Sequence, residues 1–130
     1  MRPTEPKVFL VAETVVRSSG LHDYLRAVGA PTWTTDATSD AAELVEVAGR
    51  ICYRSWAPGL NANVKKVREG NGAYLANMIQ QRHGSVFEHA SVSFIFHHVS
   101  RVLTHELVRH RVGVGISQES LRYVRLEDIA

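Results

Sequence analysis

The chain has 130 residues, 45% hydrophobic and 22% charged, which excludes a disordered polymer and suits one domain with its own core. A net charge of +2 is too small for a protein held to nucleic acid mainly by neutralising phosphates. The single cysteine, Cys52, excludes an intrachain disulfide and a cysteine-built zinc site, so a reducing, cytoplasmic setting is expected.

Residues 7–16 are rich in β-branched and aromatic side chains and read as a first strand. Glu13 interrupts this short apolar run, so neither a signal peptide nor a membrane-spanning segment is expected there or elsewhere. A short helix is expected within residues 21–30, ahead of the turn-prone Gly29-Ala30-Pro31. Ser39-Asp40 supplies an N-cap for a helix in which Leu44, Val47, Ala48, Ile51 and Cys52 recur at helical spacing. That phase places the Cys52 thiol on the buried face as an inert group. Asn63 reads as the cap of a short basic helix over residues 64–69. The next helix, residues 73–83, carries Tyr74, Leu75, Met78 and Ile79 on one face, with Gly84 as its terminating glycine. Residues 85–89 turn into the clearest strand, where Ala90, Val92, Phe94, Phe96 and His98 alternate with Ser91, Ser93, Ile95 and His97. A last helix runs from Ser100 to about His110, with Leu103 and Leu107 toward the core. Residues after Gly115 read as extended, with Leu121, Tyr123 and Leu126 alternating with arginines. Helices and strands without regular βαβ alternation imply the α+β class: a single domain over residues 1–130, its antiparallel or mixed sheet packed by helices.

The chemistry concentrates in residues 109–123. Arg109-His110-Arg111 is followed by a stretch containing Gly113 and Gly115, then by Ser117-Gln118-Glu119-Ser120 and Arg122. The planar guanidinium fork grips phosphate through paired hydrogen bonds and stays charged at any working pH. Apolar neighbours on both sides, Leu103, Leu107 and Val108, then Val112, Val114 and Ile116, set the run apart from a solvated basic face. The pattern points to a cradle for a phosphorylated ligand. His105 and His110 superficially suggest a zinc-binding helix, but five residues separate them by about 140° around a helix, so they cannot share a metal. Glu106, Arg109 and His110 stand at i, i+3 and i+4 and are expected on one helix face, either as a surface ion pair or lining a ligand cleft. Gly113 and Gly115 fit neither the P-loop nor the dinucleotide-binding spacing. Ser117 and Ser120 lack the setting of a serine nucleophile.

These residues resemble the flavin-dependent thymidylate synthases, the ThyX family. Its signature is Arg-His-Arg, seven residues, then Ser-x-Arg-Tyr; here Arg109-His110-Arg111 and Ser120-Leu121-Arg122-Tyr123 are separated by eight. The extra residue falls within residues 112–115, where a glycine-containing loop absorbs it cheaply. Upstream, His83-Gly84-Ser85-Val86-Phe87-Glu88-His89 is similar to the family's His-x-(Ser/Thr)-x-x-Glu-His segment, and Cys52-Tyr53-Arg54-Ser55 to its Cys-Tyr-x-Ser helix end.

The resemblance implies synthesis of dTMP from dUMP, with methylenetetrahydrofolate as carbon donor and NADPH as reductant through bound FAD. Reduction of the nucleotide by flavin hydride requires no side-chain nucleophile, so no catalytic residue is assigned. It implies that Arg109, His110 and Arg111 contact FAD, joined by Gln118, and that His83, Ser85 and Glu88 border the flavin. For dUMP it implies Arg109, Gln118, Glu119 and the Ser120, Leu121 and Arg122 run, the last at the phosphate. Glu106 stands where the family commonly has Gln; a carboxylate there accepts from the base and repels phosphate. Family members run well beyond Ala130 and form homotetramers with sites between subunits. A noncatalytic flavin- or nucleotide-binding homologue, or one part of a split enzyme, is the alternative. An RNA-binding module using Arg101, Arg109, Arg111, Arg122 and Arg125 is a further one.

Overall fold

The computed structural model describes residues 5–125, in the order β1 (Lys7–Glu13), α1 (Ser18–Ala27), α2 (Asp40–Tyr53), α3 (Asn71–Gln80), a 3-10 turn (Gly84–His89), β2 (Val92–His97) and α4 (Arg101–Leu107). The class is α+β, as expected. Thr14 follows β1 and Ser91 precedes β2, and their bonds (Thr14 N–H to Ser91 O, 3.1 Å; Ser91 N–H to Thr14 Oγ1, 2.8 Å) close an antiparallel pair. Two compact units divide the chain: Val8–Ile95, and the described parts of Met1–Lys7 and Phe96–Ala130.

In the larger unit α2 is the element around which side chains pack. Ser39 Oγ accepts from Ala42 N–H at 3.2 Å, the expected N-cap, and Asp40 and Glu43 sit favourably in the first turn. Residues 45–50 are all buried. At about 100° per residue, such a run faces several directions at once, and α2 serves two hydrophobic clusters. Val45 and Ala48 meet Tyr74 and Met78 of α3 and Val86 of the 3-10 turn. Val47 meets Leu25 of α1, Ala30 and Trp56, with Trp33 and Tyr24 packed alongside.

Between the two clusters lies a buried ion pair. Arg50 Nε donates to Glu46 Oε1 at 2.8 Å and Nη2 lies 2.7 Å from the same oxygen. Nη1 also donates to Ser55 O at 2.6 Å, and Nη2 to Arg68 O at 2.8 Å. Glu46 Oε2 accepts from Thr35 Oγ1 at 2.7 Å and Asn71 Nδ2 at 2.8 Å. The guanidinium also lies over the Tyr74 ring at 4.5 Å from its centroid. Burying these charges is tolerable because their hydrogen-bonding groups are engaged.

Gly49 is required by this packing. A Cβ there would stand 2.7 Å from Tyr74 Oη and 3.0 Å from its Cε1. Overpacking costs about 1–3 kcal/mol, against about 1 kcal/mol gained from helix propensity. Gly49→Ala is therefore expected to lower the urea midpoint, by up to about 2 kcal/mol of stability. Adding Tyr74→Phe, which removes the nearest atom, should recover part of the loss; a midpoint unchanged by Gly49→Ala would show that the ring moves aside freely.

Several sequence expectations shift. Residues 64–69 form no helix: six residues are too few to offset nucleation, and the Arg68 carbonyl accepts from Arg50 instead. The helix expected over residues 73–83 spans Asn71–Gln80. Asp36 Oδ1 accepts Asn71 N–H at 2.5 Å and starts it early, and Arg82, at φ 57°, stops it ahead of Gly84. Cys52 and Ile51 are exposed, because α2 runs on past the elements that cover its middle. In β1 and β2 every residue is exposed, Phe94 (48%) hardly less than Ile95 (54%), so the alternation yields no buried face; two strands are too few to make one. Helix α4 buries none of its residues, Leu103 included, and residues 121–123 form a turn where an extended segment was expected. Leu126 lies outside the described residues.

Candidate functional site

Helix α4 starts the smaller unit's site. Ser100 Oγ caps it by accepting Leu103 N–H at 3.2 Å. Its end tightens into i to i+3 bonds, Arg109 N–H to Glu106 O at 3.2 Å and His110 N–H to Leu107 O at 3.0 Å. The helix thus stops at Leu107, three residues short of expectation, and His110 leaves the face it was to share with Glu106 and Arg109. Glu106 and Arg109 form no ion pair with each other.

The chain then reverses. Val114 N–H bonds Arg111 O at 3.5 Å, and Gly113 takes φ 72° at the third position of the turn, a conformation that disfavours any side chain. The following segment is fastened to the first turn of α4 at two points. Gln118 Nε2 donates to Thr104 Oγ1 at 3.0 Å, and Arg101 Nη2 to Glu119 O at 2.9 Å. Ser120 opens a second turn: its carbonyl accepts Tyr123 N–H and Val124 N–H, both at 2.9 Å, and its Oγ accepts Arg122 N–H at 3.3 Å. Leu121 is exposed. The Arg122 guanidinium rests over Tyr123, 5.4 Å from the ring centroid, with Nη2 bonded to Tyr123 Oη at 3.4 Å.

His105, Glu106, Val108, Arg109 and Arg111 line a cleft of about 680 Å³. Among the described residues neither Arg109 nor Arg111 forms an ion pair. Two guanidinium forks at one cleft, without carboxylate partners of their own, attract an anion. Glu106 adds an acceptor for a ligand N–H.

In the larger unit His83, Ser85 and Glu88 occupy one short stretch. His83 precedes the 3-10 turn and bonds Met78 O through its N–H at 2.9 Å. Ser85 and Glu88 lie within the turn, and three-residue periodicity stacks them on one exposed face. Buried Val86 pins the turn to α2 and α3. The His83 ring stacks on Tyr53, at the end of α2.

From sequence Thr104 has no assigned role, Arg101 is named only in the RNA-binding alternative and Tyr53 only as part of a family segment. Thr104 meets Gln118 fourteen positions away, which no local spacing reveals. Arg101 carried a signal, since a cation in the first turn opposes the helix dipole and points to use elsewhere. Among the described residues no group of three or more His, Cys, Asp or Glu is placed to hold a metal, and no helix is long and apolar enough to cross a membrane.

The helices and the two-stranded sheet define an α+β protein, and the smaller unit carries an arginine-lined cleft. Residues 35–130 match the family model of the thymidylate synthase complementing protein, and the chain belongs to this family. It is 45% identical over 129 residues to the flavin-dependent thymidylate synthase of Mycobacterium tuberculosis (strain ATCC 25618 / H37Rv), covering 98% of this chain and 45% of that protein. To the flavin-dependent thymidylate synthase of Mycobacterium leprae (strain TN) it is 47% identical over 97 residues, 75% of this chain and 35% of that protein. The chain thus spans less than half the length of these curated relatives.

Proposed function

We propose that the chain acts in flavin-dependent thymidylate synthesis, methylating dUMP to dTMP with methylenetetrahydrofolate and NADPH through FAD. The observation that carries this reading is the cleft in which Arg109 and Arg111, among the described residues, stand without ion partners, at the positions where the chain resembles the family's signature. The donor set suits both ligands: FAD brings a diphosphate and dUMP a phosphate, each matched by guanidinium forks. When bound, the flavin supplies the hydride that reduces the nucleotide.

This chain's own groups bind and orient. Arg109, His110 and Arg111 hold the flavin, His83, Ser85 and Glu88 border it, and Gln118 contributes from its tethered segment. On the nucleotide side Glu106 accepts from the base, Arg109 and residues 118–121 line the site, and Arg122 takes the phosphate. The assembly is a homotetramer in a cytoplasmic setting, and residues 1–130 act as a single domain within it.

The test is the absorbance and fluorescence of the purified chain titrated with FAD, with and without dUMP. A bound-flavin spectrum that changes on adding dUMP is expected, followed by dUMP-dependent NADPH oxidation when methylenetetrahydrofolate is supplied. Binding of RNA that is indifferent to FAD and collapses with salt would replace this reading with the RNA-binding one. Flavin binding without turnover would leave a noncatalytic homologue or one part of a split enzyme.

A further inference from the structure

Two helices of the larger unit end on one pair of rings. Helix α2 ends at Tyr53, where Arg54 turns left-handed at φ 49° and the Tyr53 carbonyl accepts from Asn61 Nδ2 at 2.6 Å. Past the end of α3, Arg82 is left-handed at φ 57°, and the His83 N–H returns to Met78 O at 2.9 Å. Non-glycine residues with positive φ among the described residues are Arg54, Arg82 and His98, and the first two adjoin this ring pair. Each such residue costs about 1–2 kcal/mol, and strain of this kind persists where the surroundings hold a side chain in a set direction.

The rings confirm that direction. Their centroids are 5.9 Å apart with planes 21° from parallel, and Tyr53 Oη lies 3.4 Å from His83 Nδ1. Burial does not explain the contact, since Tyr53 is 43% exposed and belongs to neither hydrophobic cluster.

We propose that Tyr53 is a positioning residue for His83: its hydroxyl donates to Nδ1 and its ring stacks on the imidazole, fixing the tautomer that carries the proton on Nε2. A hydrogen bond at one imidazole nitrogen sets the role of the other. Nε2–H is then a donor held ready for an acceptor atom of the flavin. This last step rests on the proposed placement of His83 beside FAD.

Tyr53→Phe keeps the ring and removes the hydroxyl. Long-range 1H–15N spectra of the neutral His83 ring in the full chain are expected to show a single Nε2–H tautomer in the wild type and altered 15N shifts in Tyr53→Phe. FAD titration should then weaken about three- to tenfold, the range of one lost hydrogen bond. In a His83→Gln background Tyr53→Phe should cause no further loss, the mark of coupling. Unchanged His83 15N shifts would overturn the proposal, as would an equal loss of FAD affinity in the His83→Gln background. Shifted 15N signals with no flavin binding by the wild type would keep the orienting role of Tyr53 and overturn the flavin placement of His83.

Discussion

Arg50→Ala is expected to cost about 3–5 kcal/mol, the range for removing one partner of a buried ion pair. The pair is 3% and 2% exposed, so water does not compensate the carboxylate left behind. The loss reaches further than Glu46. Ser55 O and Arg68 O each give up a guanidinium donor, and Tyr74 and Trp33 lose the cation beside their rings. A small domain has about 5–15 kcal/mol in total, so urea unfolding should begin at much lower denaturant. Arg50→Lys should fall between wild type and alanine: an ammonium keeps the charge, but its donors radiate from one point and cannot span Glu46, Ser55 and Arg68 together. A cost for Arg50→Ala below about 1 kcal/mol, the level of a surface pair, would sink the claim that this ion pair organises the unit.

On the proposed phosphate role of Arg122, Arg122→Ala should weaken dUMP binding about 10- to 100-fold, the worth of a hydrogen bond to a charged group. The same substitution should leave deoxyuridine binding unchanged, because that nucleoside lacks the phosphate. The Arg122 guanidinium lies 5.4 Å from the Tyr123 ring centroid, with Nη2 3.4 Å from Oη, which gives it a direction before any phosphate arrives. Equal loss for dUMP and deoxyuridine, read by calorimetry, would assign Arg122 to holding the turn and leave the phosphate to other groups.

Legibility in the sequence followed distance along the chain. Ser39 announced the start of α2, since an N-cap acts over three residues. The signature run was legible for the same reason, its arginines and serines lying within fifteen residues. Interactions spanning longer separations left no such mark. The apolar phase of α2 continues through Ile51 and Cys52, yet what covers a helix depends on where its neighbours stop. Gly84 looked like a stop signal, but the left-handed role fell to Arg82, whose side chain gives no hint of it. The strand over residues 92–97 was legible by its alternation; its exposure was not, because periodicity reports which residues share a face and says nothing of whether a partner covers it.

The turn at Gly113 makes the spacing of the signature motif a matter of slack. Upstream, the end of α4 sets the register of Arg109 and Arg111. Downstream, the Thr104 and Arg101 tethers set Gln118 and Glu119 separately. An added residue between those anchors lengthens a solvent-facing bend without transmitting a shift to either side, at a loop-entropy cost that grows only logarithmically. Eight intervening residues in place of seven are therefore compatible with the same placement of the two groups of residues. In this chain the tethers at Arg101 and Thr104, rather than the residue count, fix where the downstream group stands.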